Sequence, residues 1–201
     1  MQRRRLLLTL FVAASAALGG AWLARTSVGP APDPGFEVVT LLPTPRALPA
    51  FALDAGATPL ATSALRGRWT VLFFGFTRCP DVCPTTLALL ARARAALPEA
   101  TRPQVLFISV DPERDSGARA DEYARWYDPS FRGATSPELA LLAGALGAPY
   151  QRRVEGDGYS MDHSGALFLL DPELRFAGVA TPPHDPARLA RDLARLPEGG
   201  P

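Results

Sequence analysis

The chain has 201 residues, of which 47% are hydrophobic and 20% charged, with a net charge of +1. That length suits one domain with its own core plus appendages, and the composition excludes a disordered chain. The basic residues are all arginine and are spread along the sequence, so no nucleic-acid or polyanionic partner is expected.

The N-terminus reads MQRRRLLLTLFVAASAALGGAWLAR. Arg3, Arg4 and Arg5 precede an uncharged run over 6–24, close to the roughly 20 apolar residues that cross a bilayer. Residues 1–25 are therefore predicted to form a membrane-anchor helix or signal segment. The run is longer than the roughly 7–15-residue apolar stretch of a signal peptide, which favours an uncleaved anchor. Small residues over 13–17 leave peptidase cleavage open, and the arginines loosely fit a twin-arginine signal. With the arginines inside, everything beyond Arg25 faces outward. The expected place is a bacterial cytoplasmic membrane, with the domain facing the periplasm or cell exterior.

Residues 26–48 are rich in Pro and Gly and read as a semi-rigid tether, with a folded domain over 49–201. VLFFGF over 71–76 is a continuous apolar run, as in a strand buried on both faces. A helix is predicted over 84–97, with Leu87, Leu90, Ala91 and Leu97 on one stripe and Pro84 at its first position. VLFISV over 105–110 is a second buried strand, followed by helices over 118–127 and 137–146. The latter places Leu139, Leu142, Ala143 and Leu146 on one face. Strands over 166–170 and 174–179 are joined by the turn DPEL. A last helix over 186–196 turns Leu189, Leu193 and Leu196 inward. This alternation predicts an α/β domain with a largely parallel centre and a late antiparallel hairpin. The order resembles the thioredoxin fold, a central mixed sheet flanked by helices.

The two cysteines of the chain, Cys79 and Cys83, lie in FTRCPDVCPTT, where the first buried strand gives way to a helix. Sites form at that carboxyl edge in open α/β sheets. A cap position for Cys83 ahead of Pro84 would favour its thiolate through free N–H groups and the helix dipole, and Arg78 adds a positive neighbour. A structural disulfide here would close a very short loop, worth about 2 kcal/mol, which a domain of this size hardly needs. A redox-active dithiol usually has the CxxC spacing, whereas CPDVC carries one residue more. The added residue and the two prolines let both sulfurs face outward as metal ligands, which calls for a third ligand elsewhere.

His163 and His184 are the histidines available. His163, in GYSMDHSGALFLL, directly precedes a buried strand, so its loop can reach the cysteine crevice. His184, in TPPHDP, reads as an ordinary surface or core histidine, and Met161 as a core or surface residue rather than a thioether ligand. Two thiolates and an imidazole suit Cu(I), or Cu(II) with an added oxygen ligand. The same set with an open position also suits zinc.

FTRCPDVCPTTL, SVDPERD and DHSGALFLLDP, in that order and spacing, resemble the three motifs of the Sco/SenC proteins. The resemblance covers about 49–196, and the anchor and tether fit that family's architecture. It implies a membrane-tethered, thioredoxin-like domain that binds one copper ion and helps mature the binuclear copper centre of cytochrome c oxidase. It also implies that Cys79, Cys83 and His163 are the copper ligands. The expected partners are the oxidase's copper-site subunit and a thiol reductase that keeps the cysteines reduced. The alternative is a thiol–disulfide oxidoreductase that reduces the cysteines of that copper site. A peroxide-reducing module would instead show one strongly nucleophilic thiol. Asp111 and Asp115 are typical residues of the family, read here as turn-forming and capping groups.

Overall fold

Residues 70–75 are buried without a break, which is what a strand covered on both faces requires. In the computed structural model they form β2 (Thr70–Gly75), the centre of the main sheet. The structure describes residues 35–57, 60–197 and 199–200. The predicted anchor, and the tether as far as residue 34, lie outside them. Among the described residues no helix is long and apolar enough to cross a membrane.

On one side, β2 pairs in parallel with β3 (Gln104–Ser109), and β3 in parallel with the short β4 (Arg132–Ala134). On the other side, β7 (Leu167–Leu170), β8 (Phe176–Ala180) and β1 (Val39–Arg46) follow in antiparallel steps. The order β1-β8-β7-β2-β3-β4 is thus a mixed sheet. Parallel neighbours need a crossover. Helix α1 (Val82–Ala95) supplies it between β2 and β3, and α2 (Gly117–Tyr127) between β3 and β4. Helices α3 (Leu139–Leu146) and α4 (Pro186–Leu193) complete the α/β arrangement, with α1 packed beside α2 and α4. The predicted inward residues of α3 are all buried, as are Leu189 and Leu193 of α4. The DPEL turn closes as predicted, with the Leu174 N–H on the Asp171 carbonyl at 2.8 Å.

Alternation along β2 sorts its aromatic rings onto opposite faces. Phe73 meets Phe107, which meets Tyr123 of α2. Phe74 meets Phe168, which meets Phe176. Each such ring, removed from water, contributes roughly 1.5–3 kcal/mol. Gly133 of β4 lets α2 lie close: a Cβ there would stand 2.0 Å from the Ala120 carbonyl oxygen.

Several boundaries differ from the sequence reading. The second half of the expected tether is not a tether, because 39–46 is an edge strand. Pro43 and Pro45 conceal it in the sequence. Proline cannot donate to a ladder and is tolerated only at an edge or irregularity, and the β1–β8 register shifts between Leu41 and Arg46. The start of β1 is pinned by the fully buried Asp192 carboxylate, which accepts from the backbone N–H groups of Glu37, Val38 and Val39. Helix α1 begins at Val82, so Cys83 is its second residue rather than its cap. Helix α4 ends at Leu193, leaving Leu196 beyond it and partly buried. The sequence reading also missed β4 and a two-stranded hairpin, β5 (Tyr150–Glu155) and β6 (Gly158–His163).

Candidate metal centre

The cysteine loop follows β2 directly and is held from below by Asp115. That carboxylate is 1% exposed. It accepts from the Thr77 N–H at 2.8 Å, the Thr77 hydroxyl at 2.5 Å and the Ser109 hydroxyl at 2.6 Å. Arg119 donates to the Thr77 hydroxyl from above. Cys83 is fully buried, and its sulfur occupies the space that Gly75 leaves open: a Cβ on Gly75 would stand 2.7 Å from Sγ. Cys79 is half-buried, and its Sγ accepts from the Cys83 N–H at 3.3 Å. A first-turn N–H, that of Cys83, thus points at Cys79 rather than at Cys83 as the cap assignment implied.

His163 is the last residue of β6, not part of a loop. Its ring sits edge-on to Phe73 and Phe76, with centroids 6.0 and 5.8 Å away. Nδ1 is 3.0 Å from the Ser164 carbonyl oxygen. A carbonyl only accepts, so Nδ1 carries a proton there, and Nε2 is the ring nitrogen turned toward the sulfurs. Nε2 lies 3.4 Å from Sγ of Cys83. The ligand atoms of Cys79, Cys83 and His163 all lie within 4.8 Å of one another. Three ligands about 2.0–2.3 Å from one ion in a plane stand about 3.5–4 Å apart, so holding an ion would draw these atoms somewhat closer together.

The two sulfurs share a proton unevenly. The hydrogen bond from Cys83, helped by His163 and the N–H groups of Cys83 and Asp81, outweighs burial and pushes Cys79 down to about 4. The negative neighbour and burial push Cys83 up. At neutral pH the metal-free site is therefore one thiolate beside one thiol. A depressed pKa keeps the reactive thiolate as pH falls, since the thiolate is the nucleophile. Alkylation of Cys79 in the reduced protein is thus expected to stay level from pH 8 down to 5 and halve near pH 4. A tenfold fall per pH unit already between 8 and 6, read by mass spectrometry, would contradict this.

The other sequence candidates are not drawn in. His184 Nε2 lies 2.9 Å from the Gly165 carbonyl oxygen, and its ring is outside the cluster. Met161 is partly buried against the core. Arg78 is exposed. The capping role given to the aspartates belongs to Ser116, whose hydroxyl accepts from the Arg119 N–H. Asp111 does form the turn, its carbonyl accepting from the Arg114 and Asp115 N–H groups. Its carboxylate binds Arg114 and the Tyr159 hydroxyl instead. The hold of Asp115 on Thr77 was missed.

The sequence profile described as SCO1/SenC matches residues 43–198, from within β1 to beyond α4. The chain belongs to the SCO1/SenC family. A Stutzerimonas stutzeri protein, provisionally named for copper binding, is 42% identical over 164 residues, covering 79% of this chain and 80% of its own. Among solved SCO1/SenC structures, copper-bound ScoI of Arabidopsis thaliana is 32% identical. It aligns with a TM-score of 0.67 over 74% of this chain and 97% of its own. Apo Sco1 of Thermus thermophilus, solved in solution, is 38% identical, with a TM-score of 0.66 over 81% and 96%. The mixed sheet and flanking helices described above are therefore those of known SCO1/SenC proteins.

Proposed function

We propose that this protein carries one copper ion on Cys79, Cys83 and His163 and delivers it to the binuclear copper centre of cytochrome c oxidase. The observation that carries the reading is the gathering of two sulfurs and an imidazole nitrogen within 4.8 Å, across 80 residues of sequence. Soft thiolates and an imidazole favour copper over hard cations. With both thiols ionised the cysteines supply a charge of −2, so Cu(II) leaves the centre neutral and Cu(I) leaves it at −1. The copper-bound relative supports the choice of metal, and family membership supports the choice of acceptor.

The chain's own residues account for transfer. Cys83 is fully buried, whereas His163 and Cys79 are half-buried, and Cys79 adjoins the exposed Pro80 and Asp81. An acceptor thiolate approaches from that side, forms its bond to copper, and displaces Cys79 first. Ligands exchange without a change of oxidation state, and Cys79 and Cys83 recover their proton. Outside the cytoplasm thiols oxidise, so a dithiol reductase must return the pair to the reduced form. The charge pattern of Arg3–Arg5 ahead of the apolar run over 6–24 supports a membrane-anchored protein with this domain outside the cytoplasm.

The lowered pKa of Cys79 favours a second reading, reduction of a disulfide in the oxidase's copper site. Cys79 thiolate would attack one sulfur of that disulfide and release the other as a thiolate. Cys83, giving up its proton, would then attack Cys79 and free the partner. Two electrons pass to the partner, and a Cys79–Cys83 disulfide remains. Anaerobic titration of the reduced full-length chain with Cu(I) tests delivery. One ion bound per chain, with sulfur-to-metal charge-transfer absorption in the Cu(II) form, is the expected result. Weak binding of several ions without that absorption would leave the reductase reading.

A further inference from the structure

The hairpin that carries His163 shares no ladder with the main sheet. A two-stranded hairpin alone is marginal in water, so side-chain docking must decide where the imidazole stands. Tyr159 lies four residues before His163 on the same face of β6. Its ring centroid is 3.6 Å from the guanidinium carbons of both Arg114 and Arg152. Two cations that close to one centroid can only cover opposite faces. The Tyr159 hydroxyl donates to Asp111 at 2.9 Å, and Arg114 donates to the Tyr159 carbonyl at 2.8 Å. Arg114 also binds the Asp111 carboxylate, and Arg152 binds Glu113 at 3.0 Å. The inner pair is mostly buried, while Arg152 and Glu113 are 51% and 67% exposed, so the inner pair carries most of the hold.

The turn that receives Tyr159 at Asp111 is also the turn that holds the cysteine loop through Asp115 and Thr77. Both halves of the metal centre are thus fastened to one short stretch of chain. On the far side of Arg114, its guanidinium faces Phe76, the ring that abuts His163.

We propose that Tyr159 is the positioning residue for His163. Clamped between Arg114 and Arg152 and bonded to Asp111, it docks the β5–β6 hairpin so that Nε2 stands beside Cys83 before any metal arrives. The inference rests on the copper reading for its consequence, but its geometry concerns the metal-free protein.

The test uses full-length unaltered protein, Tyr159→Ala and Tyr159→Phe. The chain has two histidines, so nitrogen-15 NMR of the reduced, metal-free protein can follow the His163 ring directly. In Tyr159→Ala the His163 ring signals are expected to shift and broaden. The Cu(I) affinity should fall about tenfold or more, as for lost supports of metal ligands, with a weakened Cu(II) charge-transfer band. Tyr159→Phe keeps the stacked ring and loses the bond to Asp111, and its affinity should fall about threefold. Unchanged His163 ring signals in Tyr159→Ala would overturn the proposal. Should that variant fail to fold, unchanged ring signals in both Tyr159→Phe and Arg114→Gln, which disrupt the inner pair's hold, would do the same. If unaltered protein binds no copper, the functional reading fails, while the ring signals still decide the role of Tyr159.

Discussion

His163→Ala is expected to lower Cu(I) affinity by more than about 100-fold and to remove the three-coordinate signature from copper absorption spectra. Loss of a supporting residue costs metal sites about 10–100-fold, and loss of a ligand should cost more. No other imidazole stands ready, because His184 is engaged with the Gly165 carbonyl and lies outside the cluster. The same variant keeps Cys79 and Cys83 on their loop, where the Cys83 N–H still donates to Cys79. Exchange of the dithiol with a small disulfide should therefore continue at a rate within a few-fold of the unaltered protein. Copper delivery predicts loss of oxidase maturation by His163→Ala, whereas the reductase reading predicts that maturation survives. Replacing either cysteine disables both activities and separates nothing. Copper affinity unchanged by His163→Ala, measured by competition with a Cu(I) chelator, would remove the imidazole from the centre.

Asp115→Ala should be the most damaging change in the polar framework beneath the site. The carboxylate is 1% exposed and takes three hydrogen bonds, two from Thr77 and one from Ser109. Each donor left buried without an acceptor costs about 1–3 kcal/mol. A total of about 3–5 kcal/mol places the change at the upper end of single substitutions. For a domain of this size that lowers Tm by roughly 10 °C. Copper affinity should fall as well, because Thr77 stands two residues before Cys79 and its place fixes the loop. Asp115→Asn retains an accepting oxygen and should fall between. A Tm for Asp115→Ala within 2 °C of the unaltered protein would show that the loop is held by something else.

The parts of this fold that can be read from the sequence are those where one interaction decides. β2 and β3 are continuous apolar runs covered on both faces, and the inward residues of α3 repeat at helical spacing. β1 could not be read, because Pro43 and Pro45 look like loop and because the Asp192 carboxylate that pins its start lies some 150 residues away. The hairpin could not be read either. Its strands, YQRRVE and GYSMDH, are exposed or half-exposed and lack apolar alternation. The three proposed ligands were legible because soft donors are rare in this chain, with two cysteines and two histidines to choose among. Their supports were not. Nothing local distinguishes Asp115, which reaches back 38 residues to Thr77, from an ordinary turn aspartate.

The division of the site between two sheets bears on how long it keeps its cargo. Cys83 sits fully buried in the first turn of α1, its sulfur against Gly75 at the end of β2, whereas His163 rides on a flap that no backbone ladder joins to the main sheet. Local openings of such peripheral segments need far less free energy than global unfolding. With no acceptor thiolate present, the ion's residence time should then follow the lifting of the flap rather than the stability of the core. Substitutions that harden the core would raise the melting point of this protein without slowing its rate of copper release.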